Sequence, residues 1–212
     1  MKNIIAASML AAAAAGSAVA ADLPADIDLP KPVTTGGMPL MDALSARKTI
    51  RSFDSKELSA QELSNILWAA CGLNREDGRR TSPTACNSQE IDVYVALPSG
   101  VYFYDAKANK LVAKVAGDLR ADTGMQPFVG KAPVNLVFVS ETSRMEMGDD
   151  GKAFYSSTDA AFASQNVYLY CASEGLATVV RGAIDRDAIA KKFGLPATCR
   201  VVLAQSVGYP GK

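Results

Sequence analysis

Residues 154–174, FYSSTDAAFASQNVYLYCASE, are the stretch that most limits what this chain can fold into. Small and apolar residues occupy most of the helical circumference here instead of a single stripe, which is typical of a helix covered by other parts of the protein. Gly175 follows directly and is a common helix terminator. The stretch therefore predicts a long, largely buried central helix, and the rest of the chain must supply the layers that cover it.

Most of the other apolar segments have the length and pattern of β-strands. IDVYVAL and VYFYD flank the turn Pro98-Ser99-Gly100, and LVAKV follows a second polar turn, so this region predicts an antiparallel meander. VNLVFVS, residues 134–140, is continuously apolar and predicts a central strand. LATVV and CRVVLAQSVGY predict two further strands.

Three shorter helices complete the predicted elements. Ser59-Ala60-Gln61-Glu62 has the pattern of a capping box and predicts a helix that ends near Gly72. Residues 39–46 and the segment DRDAIAKKF predict the other two. Residues 39–212 thus predict one domain of the α+β class, in which a mostly antiparallel central sheet is packed by helices.

The first 20 residues have the pattern of a secretory signal peptide. Lys2 provides a short basic start, an alanine-rich apolar middle follows, and small residues close the segment. The apolar run is short for a transmembrane anchor, and the acidic Asp22 follows it. This pattern predicts cleavage after Ala20 and a periplasmic or secreted protein that is not inserted in the membrane. Residues 21–38, rich in proline, aspartate and glycine, predict an extended arm or linker of the kind that often lies over a neighbouring subunit.

The composition excludes several classes of site. The chain has no histidine, which rules out Ser-His-Asp triads, histidine general bases and histidine-ligated zinc, and no metal site is predicted. Because 22 lysines and arginines balance 22 aspartates and glutamates without a long charge run, no nucleic-acid partner is expected. The four cysteines include no CxxC pair. Chemistry in such a chain must come from a cofactor or from other side chains.

Three segments carry candidate binding groups, and each has a purely structural alternative. RKTIRSF, residues 47–53, groups three cations and two hydroxyls that suit a phosphate, or it is a solvated basic turn. The loop SPTACNSQ contains Asn87, whose amide suits the edge of a heterocyclic ring, or it makes an Asx turn before the strand. GLATVVRGAID breaks at Gly182, where backbone can approach a flat ligand, or where the chain merely turns.

The order of these motifs resembles that of the FMN-dependent nitroreductase family over nearly all of the chain from about residue 40 to 212. The basic cluster comes first, then the S-P-x-x-x-N-x-Q loop, then the long helix leading to G-L-x-x-x-x-x-G, and finally GYP. GVYFYDAKANKLV, AGDLRAD, SQNVYLYCASEGLATVVRGAID and SVGYP look most like the branch that contains the azoline-oxidising (thiazole- and oxazole-forming) dehydrogenases. The resemblance implies a nitroreductase-like fold and a homodimer with FMN at the subunit interface.

The resemblance also implies a set of cofactor-binding residues. The basic cluster would bind the FMN phosphate, the loop would reach the flavin across the dimer interface, and the region after the long helix would present backbone amides to flavin N5 and O4. A basic residue after GYP would complete the phosphate site. These residues are Arg47, Lys48 and Thr49, then Ser82, Pro83, Thr84 and Asn87, then Val180, Arg181 and Gly182, and finally Lys212.

Two of these segments depart from the family pattern. Arg181 stands where an acidic or small residue is expected; its guanidinium either lies near the flavin, where it would raise the flavin potential, or points to solvent. Cys86 stands where a small residue is more usual, and it either fills that space or has a redox role.

The function that follows is an oxidoreductase without a catalytic side chain, in which flavin N5 carries the chemistry. Hydride would pass from NAD(P)H or another small-molecule donor to FMN, and two electrons would then pass to a nitroaromatic, a quinone or a related acceptor. One alternative is a non-catalytic protein that binds flavin or another planar ligand. A weaker alternative is a disulfide-handling protein that uses Cys86 and a second thiol.

Overall fold

A computed structural model describes residues 22–212 of the chain. The strands in this range are β1 (Ile27–Asp28), β2 (Ile91–Leu97), β3 (Gly100–Asp105), β4 (Lys110–Ala116), β5 (Val134–Glu141), β6 (Ala177–Arg181) and β7 (Cys199–Gly208). They form one sheet in the order β1-β4-β3-β2-β5-β7-β6, and every neighbouring pair is antiparallel. The predicted meander and the central position of VNLVFVS are confirmed.

Helices cover both faces of the sheet. They are α1 (Leu40–Ala46), α2 (Ala60–Cys71), α3 (Asp149–Glu174) and α4 (Arg186–Phe193). The larger core lies between the sheet and helices α2 and α3, where Ile66, Leu67 and Val167 meet Phe138. The smaller core lies on the opposite face under α4. The predicted α+β class, with helices packed on a mostly antiparallel sheet, is confirmed.

The capping box at the start of α2 is present as predicted. Ser59 Oγ accepts a hydrogen bond from the Glu62 backbone N–H, and Glu62 Oε2 accepts one from the Ser59 backbone N–H at 2.7 Å. Two backbone donors that would otherwise have no partner in the helix are thereby satisfied.

Helix α3 ends where predicted but begins at Asp149, so it is five residues longer than the apolar pattern indicated. Its first turn is acidic, which favours a helix N-terminus electrostatically but leaves no apolar signal in the sequence. Within one chain the helix is buried along one face only. Its outward face exposes Phe154, Tyr155 and Phe162.

The predicted arm follows its own subunit. Ile27 pairs with β4, Leu29 is buried, and the Pro30 carbonyl accepts a hydrogen bond from Ser64 in α2. The Met38 backbone N–H donates to Ser173 at the end of α3. Over this part of its length the arm lies against its own domain.

The predicted location of the protein requires a correction. The signal-peptide prediction concerns residues 1–20, which lie outside the described residues. In residues 22–212, none of the helices combines the length and apolar character that crossing a bilayer requires. The prediction of a periplasmic or secreted protein has no structural support and is not retained.

Candidate functional site

Tyr168 of α3 connects two of the three predicted binding segments. Its hydroxyl lies 3.0 Å from Thr49 Oγ1 and accepts a hydrogen bond of 3.0 Å from the Val180 backbone N–H. The Arg47 guanidinium lies over the Tyr168 ring, 5.5 Å from its centroid. The basic segment and the end of β6 therefore meet at one point on α3.

The backbone reinforces this arrangement. The Ile50 N–H donates to the Thr178 carbonyl of β6, and Lys48 helps to line a cavity of about 290 Å³ between the two segments. The end of the chain runs beside Ser52 and Phe53, since the Gly211 N–H donates to the Ser52 carbonyl. The fold thus places Lys212 next to the segment that carries the predicted phosphate ligands.

The donor groups of this segment fit a phosphate. Within residues 22–212, no salt bridge pairs Arg47, Lys48 or Lys212 with a carboxylate. Two or three cations that are not paired with a carboxylate, together with a hydroxyl, are groups that typically bind a phosphate monoester. Gly182 follows β6, and a Cβ atom built there would meet no atom of the chain within 4 Å, so the space beside it is open to a ligand.

The SPTACNSQ segment, residues 82–89, is a second candidate element, which we call the cofactor loop. Ser82 is buried, Thr84 is half-buried, and Pro83 and Asn87 are exposed. Cys86, Asn87 and Gln89 have positive φ angles of 53°, 54° and 48°. Non-glycine residues adopt this conformation at an energetic cost, and such strain is concentrated at binding sites.

The cofactor loop is held in this strained shape by several hydrogen bonds. Thr84 Oγ1 accepts from the Gln89 backbone N–H at 2.9 Å, and Gln89 Nε2 donates to the Gly78 carbonyl at 3.1 Å. The Ala85 N–H donates to Asp159 of α3 at 2.8 Å, which docks the loop on the helix. The loop is therefore ordered, with Asn87 on its surface.

One chain does not bring the loop and the basic segment together. The loop docks at Asp159 and the basic segment at Tyr168, about two and a half helical turns apart, or roughly 14 Å along the axis of α3. A ligand that uses both sets of residues must therefore span this distance, or a second copy of the chain must supply one of the two sets.

The Arg181 side chain occupies neither of its predicted positions. It is 4% exposed and lies on the α4 face of the sheet, opposite to Val180, because successive strand residues face opposite sides. Its guanidinium donates to the Thr123 carbonyl at 2.6 Å and to Asn135 Oδ1 at 3.0 Å. Burial lowers the pKa of Arg181 to about 10. The side chain is a buried structural cation, and only its backbone lies beside the open space at Gly182.

Tyr168 and Asp159 were missed as site residues. Both lie in α3, where sequence periodicity identifies them only as positions on a buried helix. A buried aspartate is uncommon unless it is paired, so the acidic residue in an otherwise apolar and small-residue stretch was the one available signal.

A comparison with protein families identifies the fold and the family. The family model described as the nitroreductase family matches residues 44–209. The chain belongs to the nitroreductase family. The matched range begins just before Arg47 and ends at Tyr209, so it contains the basic segment, the cofactor loop and β6.

Individual nitroreductases are similar over most of the chain. A nitroreductase homologue of Methanocaldococcus jannaschii is 32% identical over 155 residues, which are 68% of this chain and 78% of the relative. A crystal structure of a nitroreductase homologue of Ralstonia eutropha superposes with a TM-score of 0.85 at 44% identity, covering 88% of this chain and 90% of that one. An NADPH:FMN oxidoreductase of Vibrio harveyi shares the fold, with a TM-score of 0.63 at 19% identity and coverage of 82% and 69%.

The cysteines of this nitroreductase differ sharply in accessibility. All four are free thiols; Cys71 and Cys171 are buried, Cys199 is half-buried and Cys86 is exposed in the cofactor loop. Burial raises the pKa of Cys71 to about 11 and, together with the neighbouring Glu141, that of Cys199 to about 12. Neither of these two thiols is appreciably ionised near neutral pH.

We expect a single fast-reacting thiol in the folded nitroreductase. Because the thiolate is the reactive form, the buried thiols should react with an aromatic disulfide reagent about two orders of magnitude more slowly than Cys86. The measurement is the time course of thiol release near pH 8, with Cys86→Ser as the variant that should lose the fast phase. Two fast-reacting thiols in the folded protein, or fewer than four reactive thiols after unfolding, would instead support the disulfide-handling alternative.

Proposed function

We propose that this nitroreductase is a homodimeric FMN-dependent oxidoreductase that transfers two electrons from NAD(P)H or another small-molecule donor to a nitroaromatic, a quinone or a related acceptor. The observation that carries the proposal is the set of contacts at Tyr168, which connect Arg47 and Thr49 to the end of β6, with Lys48 lining the cavity beside them. These contacts support the proposal because they bring the candidate phosphate-binding groups next to the open backbone after β6. The azoline-oxidising branch remains a hypothesis, because no comparison above distinguishes it.

The residues fall into three groups by what they would do for FMN. Arg47, Lys48, Thr49 and Lys212 would bind the phosphate, and contacts with Tyr168 position Arg47 and Thr49. Ser82, Pro83, Thr84 and Asn87 of the cofactor loop would reach the flavin edge. Arg181 and Gly182 would contribute backbone at the open space after β6, whereas the N–H of Val180, the third residue of this group, already donates to Tyr168. FMN, when bound, supplies two-electron redox chemistry, and these residues supply its position and polar surroundings.

Two observations support a dimer with shared sites. First, helices α1 and α3 pack on each other and expose six large apolar side chains, which we call the α1–α3 surface: Leu40, Met41, Leu44, Phe154, Tyr155 and Phe162. Exposure of several large apolar side chains on neighbouring helices is typical of a subunit interface. Second, the loop and the basic segment are separated along α3, so a second copy that presents its loop would complete the site.

The proposal is tested by the flavin spectrum of the purified protein. FMN should bind and give a flavin absorbance that NADH or NADPH bleaches without oxygen and that a nitroaromatic or quinone restores. A flavin that no donor reduces would favour the non-catalytic binding protein. Absence of flavin, even after FMN is added, would refute both.

Arg47→Ala tests the assignment of the phosphate site. Loss of one charged hydrogen bond should weaken FMN binding by about 1.5–3 kcal/mol, or roughly 10- to 100-fold in Kd. The measurement is quenching of FMN fluorescence on titration with protein. Arg200→Ala, an exposed arginine on β7, is the matched control and should leave the Kd unchanged. Equal affinity of the Arg47 variant and the wild type would remove Arg47 from the site.

A further inference from the structure

Glu90 is a fully buried carboxyl at the point where the cofactor loop enters β2. Its side chain is 0% exposed, and no salt bridge in residues 22–212 involves it. Its Oε2 lies 2.8 Å from Ser88 Oγ, whereas Oε1 has no hydrogen-bond donor in the described part of the chain. An ionised carboxylate at this position costs folding free energy, because bulk solvent does not reach it and no cation of the described residues forms a salt bridge with it.

Asp159 of α3 lies against Glu90. It is 3% exposed, and its carboxyl is within hydrogen-bonding reach of that of Glu90. Its Oδ2 also accepts from the Ala85 N–H at 2.8 Å, and Oδ1 accepts from Thr158 Oγ1 at 3.2 Å. Two ionised carboxylates offer each other no hydrogen, so they can pair only through a proton.

The hydrogens around Ser88 lead to the same conclusion. Ser88 Oγ lies 2.8 Å from the Ala85 carbonyl oxygen and 2.8 Å from Glu90 Oε2. The hydroxyl has one hydrogen and can donate to only one of these acceptors. If both acids were ionised, the chain of oxygens from Ala85 through Ser88 and Glu90 to Asp159 would contain a single hydrogen. At least one of the two carboxyls must therefore carry a proton if neighbouring oxygens in this chain are to be hydrogen-bonded.

The other ionisable groups beside this strand are engaged elsewhere. Arg144 forms a double ion pair with Asp92 and donates to the Gln89 carbonyl, and Arg80 donates to the Ile91 carbonyl. The Glu141 carboxylate accepts from Ser143 and Thr198. From α2, the Cys71 thiol faces Arg80 and Asp92. None of these groups supplies a counter-charge to the Glu90–Asp159 pair.

We propose that Glu90 and Asp159 share a carboxyl proton and that this proton keeps the cofactor loop docked on α3. The two acids are positioning residues: Asp159 binds the loop at Ala85, and Glu90 binds it through Ser88. The consequence for FMN rests on the proposed function, because the docked loop is the one that would reach the flavin. Loss of the proton would place two negative charges together in the interior and release the loop.

The pH dependence follows from the direction of the pKa shift. Burial raises the pKa of Glu90 above its ordinary value of 4.5, and the Asp159 carboxyl raises it further, against the opposing effect of the Ser88 hydrogen bond. The folded protein therefore holds this proton more tightly than the unfolded chain does. The stabilisation is fully present below 4.5 and is lost as the pH rises through the folded-state pKa.

Hydrogen exchange of the FMN-free protein tests the proton directly. Amide protection in the cofactor loop, corrected for the intrinsic exchange rate, should fall with rising pH in the wild type, by at most about tenfold per pH unit for one proton. Glu90→Gln keeps the shape of the side chain and donates to Asp159 without a titrating group, so its loop protection should not vary with pH. Glu146→Gln, at an exposed position, should behave like the wild type.

FMN titration over the same pH range gives the second readout. The Kd for FMN should rise with pH in the wild type in parallel with loop exchange, and it should stay constant in Glu90→Gln. The Kd of Asp159→Asn should also stay constant with pH, since the new amide N–H can donate to Glu90 and the amide oxygen can accept from the Ala85 N–H. This variant replaces Glu90→Gln if Glu90→Gln does not fold. Loop protection that is independent of pH in the wild type, or that falls equally in the variants, would overturn the shared proton. Failure of FMN to bind at any pH would instead refute the proposed function, while the exchange experiment still decides on the proton.

Discussion

Replacing Phe162 by aspartate should convert the dimer to a monomer and abolish tight FMN binding. Phe162 is 48% exposed on the α1–α3 surface, and it lies in α3 between Phe154 and the segment that α1 contacts. In a two-fold symmetric interface each substitution occurs twice, and central apolar contacts cost about 2 kcal/mol or more apiece, so the dimer Kd should rise by roughly a thousandfold. Affinity for FMN should fall with it, because in the proposed shared site the cofactor loop is supplied by the second copy. Sedimentation and FMN titration at the same protein concentration measure the two effects.

Two controls separate this effect from a general loss of stability. Phe162→Leu keeps an apolar side chain and should retain both the dimer and FMN. Lys191→Asp introduces the same acidic side chain on α4, on the opposite face of the sheet, and should change neither. A monomeric Phe162→Asp variant that binds FMN as tightly as the wild type would contradict the shared site.

Arg181→Met should lower the free energy of unfolding by about 2–4 kcal/mol. The substitution removes a charged donor from the Thr123 carbonyl and from Asn135 Oδ1, both of which lie in the interior. Hydrogen bonds of this kind contribute about 1.5–3 kcal/mol each, and release of the buried charge offsets part of that loss. Urea denaturation measures the change. Arg200→Met on the exposed side of β7 should shift stability by less than about 0.5 kcal/mol.

Gly124 offers an independent test of the Arg181 position. A Cβ atom at Gly124 would overlap the Arg181 guanidinium, so Gly124→Ala should destabilise the wild type. Its cost should be smaller in the Arg181→Met background, with a coupling energy of about 1 kcal/mol or more. Additive effects of the two substitutions would show that the Arg181 side chain does not occupy this interior position.

The sequence was a good guide wherever a local pattern carries the information. The capping box at Ser59 and Glu62, the turn at Gly100 and the apolar run of β5 each depend on neighbouring residues, and each was predicted correctly. The start of α3 was missed, since its acidic first turn has no apolar period. The sequence did not separate the buried face of α3 from its exposed face, because apolar and small residues occur on both.

The candidate site was predicted in part. The basic segment and the end of β6, which were proposed from separate motifs, do meet, and the C-terminal residues run beside them. The residue that joins them, Tyr168, had no signal of its own. For Arg181 the sequence predicts a side chain near the flavin or in solvent, but strand alternation turns that side chain to the other face of the sheet.

By itself, the sequence determined the fold class, the elements and the exclusion of histidine-based chemistry, because apolar periodicity, capping residues and composition are local properties of the chain. Only the tertiary structure decided that Tyr168 joins two motifs, that Arg181 is a buried cation and that the loop and the basic segment are separated along α3. Glu90 and Asp159 are an extreme case, since they lie on different elements far apart in the chain and meet only when α3 packs on the sheet. Their pairing is a property of strand order and helix packing, which no local pattern of residues records.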